Sequence, residues 1–204
     1  MTTVDQPHAA RRILVIACGA LVRELRVVFG QLGSGAVEFE TEYLPANLHN
    51  RPEQIPGRVR AILDARRAEF DRVLVGYADC GTGGLLDAAL EGTDAVRIPG
   101  AHCYEFFAGP GVFDSWHEEE LGTFYLTDFL VRHFDVLVIG GLGLDRHPEL
   151  RDMYFGNYRR VLLLTQSDDP ELIPLGQAAA DRLGLDFEHH HVGLGPFTAV
   201  VEAL

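Results

Sequence analysis

The sequence has no CxxC pair, no run approaching about 18 consecutive apolar residues, and little positive charge. The first absence removes the strong local signature of a zinc ribbon or a dithiol redox motif. The second removes a membrane-spanning helix. The third, a formal net charge of -13, excludes broad nucleic-acid binding, which needs a basic face to displace counterions from phosphates. It also disfavours docking on an anionic membrane, and its ordinary effect is solubility. Local basic clusters remain in GNYRR (156–160) and LDRHPELR (144–151), which leaves room for one anionic ligand. The opening MTTVDQPHAARR is polar and lacks the apolar region of a signal peptide, so the expectation is a cytoplasmic protein. No repeat of solenoid period is present.

Apolar residues make up 47% of the 204 positions, enough for an ordinary core. Short Val/Ile/Leu-rich runs alternate with helical patterns, the signature of a parallel sheet with crossover helices. Strands are expected near 13–17, 37–43, 73–77, 95–98, 123–126, 161–165 and 186–192. Helices are expected near 20–31, 52–69, 128–140, 147–155 and 169–183, with Pro52 opening the second. The fold class is α/β and Rossmann-like: a mainly parallel sheet with helices on both faces, in one domain over residues 1–204. GPGVFDSWHEEELG breaks the alternation with a charge run. It suggests two similar halves, 12–109 and 122–195, joined by 110–121.

Three cysteines is an odd count in a chain read as cytosolic, so a disulfide framework is not expected. Cys18 follows ILVIA, Cys80 follows VLVGYAD and Cys103 follows AVRIPGAH. Each lies at or just beyond the carboxyl end of an expected parallel strand, the edge where loops of an open α/β sheet converge on ligands. Three thiolates gathered at one point repel unless a cation neutralises them. That favours a metal over three free thiols, with inert buried cysteines as the plainer alternative. Zn²⁺ on three protein ligands with one open position is a catalytic arrangement. A 4Fe–4S cluster with one open iron fits the same residues, and the spacing does not choose between them.

Around the cysteines, His102 and Glu105 are candidates for a fourth ligand or a general base, and Asp79 for orienting a ligand. Gly81, Gly83 and Gly84 of CGTGG expose backbone N–H groups ahead of a helix as a phosphate cradle does, although the loop has no lysine and matches no nucleotide motif. Arg146, His147, Asn157 and Arg159 are ligand candidates from the dense polar stretch before residue 160. The three histidines at 189–191 alternate across a strand, which makes a consecutive three-histidine metal site geometrically poor.

The segments IACGAL (16–21), LPANLHNRPEQIP (44–56), GYADCGTGG (76–84), HCYEFFAG (102–109), TDFLVRHFD (127–135) and GLGLDRHPELRDMYFGNYRR (141–160) resemble one family, domain of unknown function 1638. The resemblance runs from about Arg12 to Gly184 and takes in all three cysteines. It carries no activity, only an association with accessory proteins encoded beside corrinoid-dependent methyltransferases for methylated amines. Together these readings lead to the expectation of a metal-binding enzyme or accessory factor of corrinoid-linked methyl-transfer, or one-carbon, metabolism. Zn²⁺ would activate a thiol or other nucleophile, as in a zinc-dependent methyltransferase. An iron–sulfur protein acting in electron transfer or as a lyase or dehydratase, and a non-catalytic metal or corrinoid assembly factor, are the alternatives. The expected partners are a small-molecule substrate or a corrinoid protein, and the aromatic segments serve equally as core or as an interface between copies of the chain.

Overall fold

The computed structural model of the chain describes residues 10–32 and 37–204. Seven strands among these residues form two sheets in which every pairing is parallel. Strands β1 (Arg11–Cys18), β2 (Val37–Leu44), β3 (Arg72–Gly76) and β4 (Val96–Arg97) make the first, in the order β2-β1-β3-β4. Strands β5 (Thr123–Thr127), β6 (Arg160–Thr165) and β7 (Asp186–His191) make the second, in that order. All seven fall where the hydrophobic runs place them.

The burial pattern follows from position in the sheet. Ile13 to Ala17 of β1 are fully buried, because a central parallel strand is covered on both faces. The edge strand β2 alternates instead, and its outward Glu40 and Glu42 both pair with Arg66. Charge on an exposed edge discourages pairing with another chain. At the end of β3, Gly76 lies so close to β1 that a Cβ there would meet the Ala17 Cβ at 2.8 Å.

Helix α1 (Val22–Leu32) follows β1 after a 3-10 turn, and α2 (Ile55–Arg66) follows the 3-10 turn that Pro52 opens. The next elements are α3 (Leu85–Leu90), α4 (Cys103–Ala108), α5 (Pro110–Glu119) and α6 (Asp128–Arg132). Last come α7 (Arg151–Phe155), α8 (Leu172–Leu183) and α9 (Gly195–Glu202). The helix expected over 128–140 is broken after Arg132 and resumes at Asp135–Gly140 with wider, π-type turns. No helix among the described residues is long and apolar enough to cross a membrane.

The stretch 110–121, expected as a bare join, is mostly the helix α5. Its Phe113 and Trp116 pack on Tyr125, Leu162 and Leu164 of the second sheet, while its charges face outward. Arg160, only 5% exposed, fastens that helix: it donates to the Trp116 carbonyl at 3.0 Å, Thr123 Oγ1 at 2.9 Å and Glu188 at 2.8 Å. The chain end also departs from a simple split into halves. Phe197 of α9 returns to the first core, edge-on to Phe106 at 5.4 Å and Phe107 at 6.3 Å.

Candidate functional site: a thiol–imidazole cluster under a cavity

Each strand of the first sheet delivers one soft donor at its carboxyl end. Cys18 is the last residue of β1, His49 lies in the turn after β2, Cys80 follows β3 and Cys103 follows β4. In the order β2-β1-β3-β4 the connections diverge on either side of the β1–β3 pair, the crevice where open α/β sheets bind ligands. The four side chains converge there. The His49 imidazole has Cys18 Sγ 3.7 Å from its Nδ1, and Cys103 and Cys80 are near enough to act on its charge. Burial works against a charge on His49, but the three thiols outweigh it and hold its pKa well above the usual histidine range. Burial pushes the Cys103 thiol up, while His49 draws it down.

His49 was not singled out from the sequence. The signal was available, since LPANLHN follows an expected strand at the same sheet edge as the three cysteines. Its Nδ1 lies 2.9 Å from the Ala46 carbonyl. Nδ1–H donating there fixes the ring and leaves Nε2 for a proton or a metal. Tyr77, in GYADC, is a second omission. It is buried, its hydroxyl has no hydrogen-bond partner, and burial and the neighbouring Cys18 push its pKa up.

The two loops bearing Cys80 and Cys103 are tied together. Cys80 N–H donates to the Ala101 carbonyl at 2.8 Å, and Asp79 N–H to the Gly100 carbonyl at 3.0 Å. Cys80 has φ +50°, the only positive φ outside glycine among the described residues. An L-residue in this region costs about 1 kcal/mol that glycine escapes. The thiol thus sits where the backbone alone would favour glycine, a marker of function rather than of packing. We expect Cys80→Gly to be about 1 kcal/mol more stable than Cys80→Ala in urea unfolding. Equal midpoints would remove the strain argument.

The glycines of the loop do not form a free phosphate cradle. Gly83 and Gly84 donate their N–H groups to the Asp79 carboxylate at 3.0 and 2.8 Å, and Thr82 Oγ1 donates to it at 2.7 Å. Burial opposes the Asp79 charge, but these bonds prevail and hold its pKa below the usual carboxylate range. Asp79 therefore shapes the Cys80 loop, and of the three glycines only Gly81 reaches the cavity described next. Glu105 likewise turns back on its own loop, accepting from Ala101 N–H at 2.7 Å. His102 precedes α4 without capping it, and burial lowers its pKa.

Above the cluster lies a cavity of about 340 Å³ between the two sheets. His49, Cys80, Cys103 and His102 line one side; Phe124, Tyr125, Phe129 and Val138 line the other. No Arg, Asp or Glu lines it, and the chain has no lysine at all. Arg146, His147 and Arg159 are exposed and lie outside it, the first two beside Asp145 and Glu149. Asn157 borders a second, outer cavity of about 600 Å³ that shares His102, Tyr104, Phe124 and Tyr125 with the first. The histidines of β7 alternate as expected: His189 and His191 both meet Thr165 Oγ1, at 3.0 and 3.2 Å, while His190 packs on Trp116.

Three thiols and one imidazole nitrogen make a Cys₃His set, a familiar zinc donor combination. Their chemistry fits the ion, and the Ala46 carbonyl orients the imidazole as metal-binding histidines require. Yet no group of three or more His, Cys, Asp or Glu among the described residues is already arranged to hold a metal.

Neither a curated protein nor a solved structure matches the chain. A family model described as a protein of unknown function, DUF1638, matches residues 43–201. The matched span holds His49, Cys80 and Cys103 but begins after Cys18, later than the resemblance over residues 12–184 implied. Since the model covers most of the sequence, the chain belongs to the DUF1638 family.

Proposed function

We propose that the protein binds Zn²⁺ through Cys18, Cys80 and Cys103 and uses it on a small, uncharged substrate held in the cavity above. The observation that carries this reading is the gathering of three cysteines, from the ends of β1, β3 and β4, around His49, from the end of β2, at the cavity floor. Side-chain rotation about χ1 would exchange the mutual thiol–imidazole contacts for contacts to one ion. His49 Nε2 would be the fourth donor.

Bound zinc lowers the pKa of a coordinated thiol or water, producing a nucleophile at neutral pH. The protein's own residues do the rest. The aromatic and aliphatic wall of Phe124, Tyr125, Phe129 and Val138 excludes water and suits an apolar substrate body. A volume of about 340 Å³ is near the lower end for small-molecule sites, so a corrinoid methyl donor would reach the cavity mouth on a partner protein. His102, kept neutral by burial, stands at the wall as the base that takes the substrate proton. The reaction class in this proposal is methyl transfer to a thiol, the one-carbon chemistry that the family association suggests.

The test is elemental analysis with a visible spectrum, on untagged protein purified without oxygen. About one zinc per chain and no colour is the expected result. About four irons with matching sulfide and a brown colour would replace zinc by an iron–sulfur cluster on the same cysteines. No metal, with all three thiols titrating freely in the folded protein, would overturn both.

A further inference from the structure

The outer cavity of about 600 Å³ has the usual size of a small-molecule site, and the proposed reaction leaves it unused. One of its walls is a continuous run of rings. His102 meets Tyr104 at 5.3 Å between centroids, and Tyr104 meets Tyr125 at 5.4 Å. Phe113 meets Tyr125 at 5.1 Å and His117 at 6.1 Å. Neighbouring planes in this run differ by no more than 36°. The run starts at His102, which lines both cavities, and ends at His117, which lines only the outer one. Three elements build it: His102 and Tyr104 stand at the start of α4, Tyr125 on β5, and Phe113 and His117 four residues apart on α5. That last spacing puts both rings on one helix face.

A polar group in this wall lacks a partner. Tyr125 is 9% exposed, and its hydroxyl makes no hydrogen bond. Thr123, its polar neighbour, is already engaged. Thr123 Oγ1 donates to the Glu120 carbonyl at 2.6 Å and accepts from Arg160 Nε at 2.9 Å. A buried phenol left unpaired is costly, and this one borders both cavities, where a ligand atom can satisfy it. Asn157 adds an amide with both donor and acceptor to the outer cavity. Its loop is held in place by Arg159 N–H, which donates to the Gly122 carbonyl at 2.7 Å. No Arg, Asp or Glu lines the outer cavity, so an ionic group would enter it without a counter-charge.

We propose that the outer cavity binds a flat, uncharged, nitrogen-containing two-ring aromatic group, and that a short uncharged arm of the same molecule runs past Tyr125 into the inner cavity. The rings stack on the aromatic wall, and their edge hydrogen-bonds with the Tyr125 hydroxyl and the Asn157 amide. The wall extends beyond a single side chain, which suits a fused pair of rings. That the arm carries the reacting group rests on the reading above; the binding itself needs no metal.

The test uses metal-free full-length protein and 2-aminopurine, a fluorescent two-ring base that is uncharged at pH 7.5 and dimmed by stacking on aromatic side chains. Titration should quench it saturably. Tyr125→Phe, which removes only the hydroxyl, and Asn157→Ala should each weaken binding about three- to tenfold. His147→Ala, on the exposed surface outside both cavities, should leave it unchanged. 2-Naphthol, similar in shape but without ring nitrogen, should compete at least about tenfold more weakly. 9-Propyl-2-aminopurine should bind about tenfold more tightly than the parent base, by laying its arm against the inner wall. Leu142→Trp, which narrows the inner cavity alone, should remove that gain. No saturable quenching, or unchanged affinity in both Tyr125→Phe and Asn157→Ala, would overturn the site. Equal affinity for 2-naphthol would overturn its hydrogen-bonded character, and no gain from the propyl arm would overturn the link between the cavities. Zinc content is measured on separate, untreated protein. Intact 2-aminopurine binding by a chain that holds no zinc would end the metal reading alone, and zinc without 2-aminopurine binding would end this inference alone.

Discussion

Cys80→Ser and Cys103→Ser should each reduce bound zinc from about one equivalent to a small fraction, while far-ultraviolet circular dichroism stays unchanged. Apparent binding free energies of structural zinc sites are about 10–16 kcal/mol. Losing one of three thiolates should cost roughly a third of that, on the order of 10²–10⁴ in affinity. Cys18→Ser belongs in the same set for a particular reason: Cys18 Sγ accepts Ala20 N–H at 3.4 Å, and serine keeps an acceptor for that 3-10 turn where alanine would not. His49→Ala should weaken zinc less, since three thiolates remain. Its stronger effect should fall on thiol titration in the metal-free protein, where the imidazole lies 3.7 Å from Cys18 Sγ and acts on the other two sulfurs through its charge. If any single cysteine variant retained full zinc, the four strand ends would not serve one site. Retention by all three would leave a thiol–imidazole cluster with no metal role.

The elements that the sequence marks clearly are those whose signal is local. Apolar runs such as ILVIA and VLLL can only be satisfied between two helical layers, so β1 and β6 were legible to within two residues at each end. The cysteines were legible because loops at strand carboxyl ends are brought together by the topology itself. What was not legible depends on partners distant in sequence. HEEE reads as a solvated join until Phe113 and Trp116 are seen on the second sheet. Glu105 and the glycines of CGTGG read as ligand groups, because no sequence pattern announces that Ala101 N–H and Asp79 will claim them. His49 is harder to read: LPANLHN carries no ligand spacing of its own, and the neighbouring strand order is what puts it beside Cys18. The basic residues Arg146 and Arg159 look like a binding patch in the chain and are exposed surface in the fold.

Glu24 should make the folded protein measurably less stable as pH rises, and Glu24→Gln should abolish that effect. Its carboxyl ordinarily titrates near 4.5 and is raised to about 7 in the fold by burial and by Asp128. Between those values the unfolded chain has released the proton and the folded chain still holds it. Folding therefore binds a proton, and stability falls with rising pH across that interval. The contribution is fully present below about pH 4.5, is lost as pH rises through 7, and is constant above. A displacement of this size corresponds to about 3 kcal/mol. Glutamine has nearly the same shape and cannot ionise, so it mimics the protonated form the fold prefers. The variant and the wild type should then have similar urea midpoints near pH 4. At pH 8.5 the variant should be more stable by about 3 kcal/mol, with most of the divergence between pH 4.5 and 7. A difference that did not vary with pH would mean that the carboxyl finds a partner or water when ionised, and that Glu24 is not the buried, unpaired acid its surroundings make it.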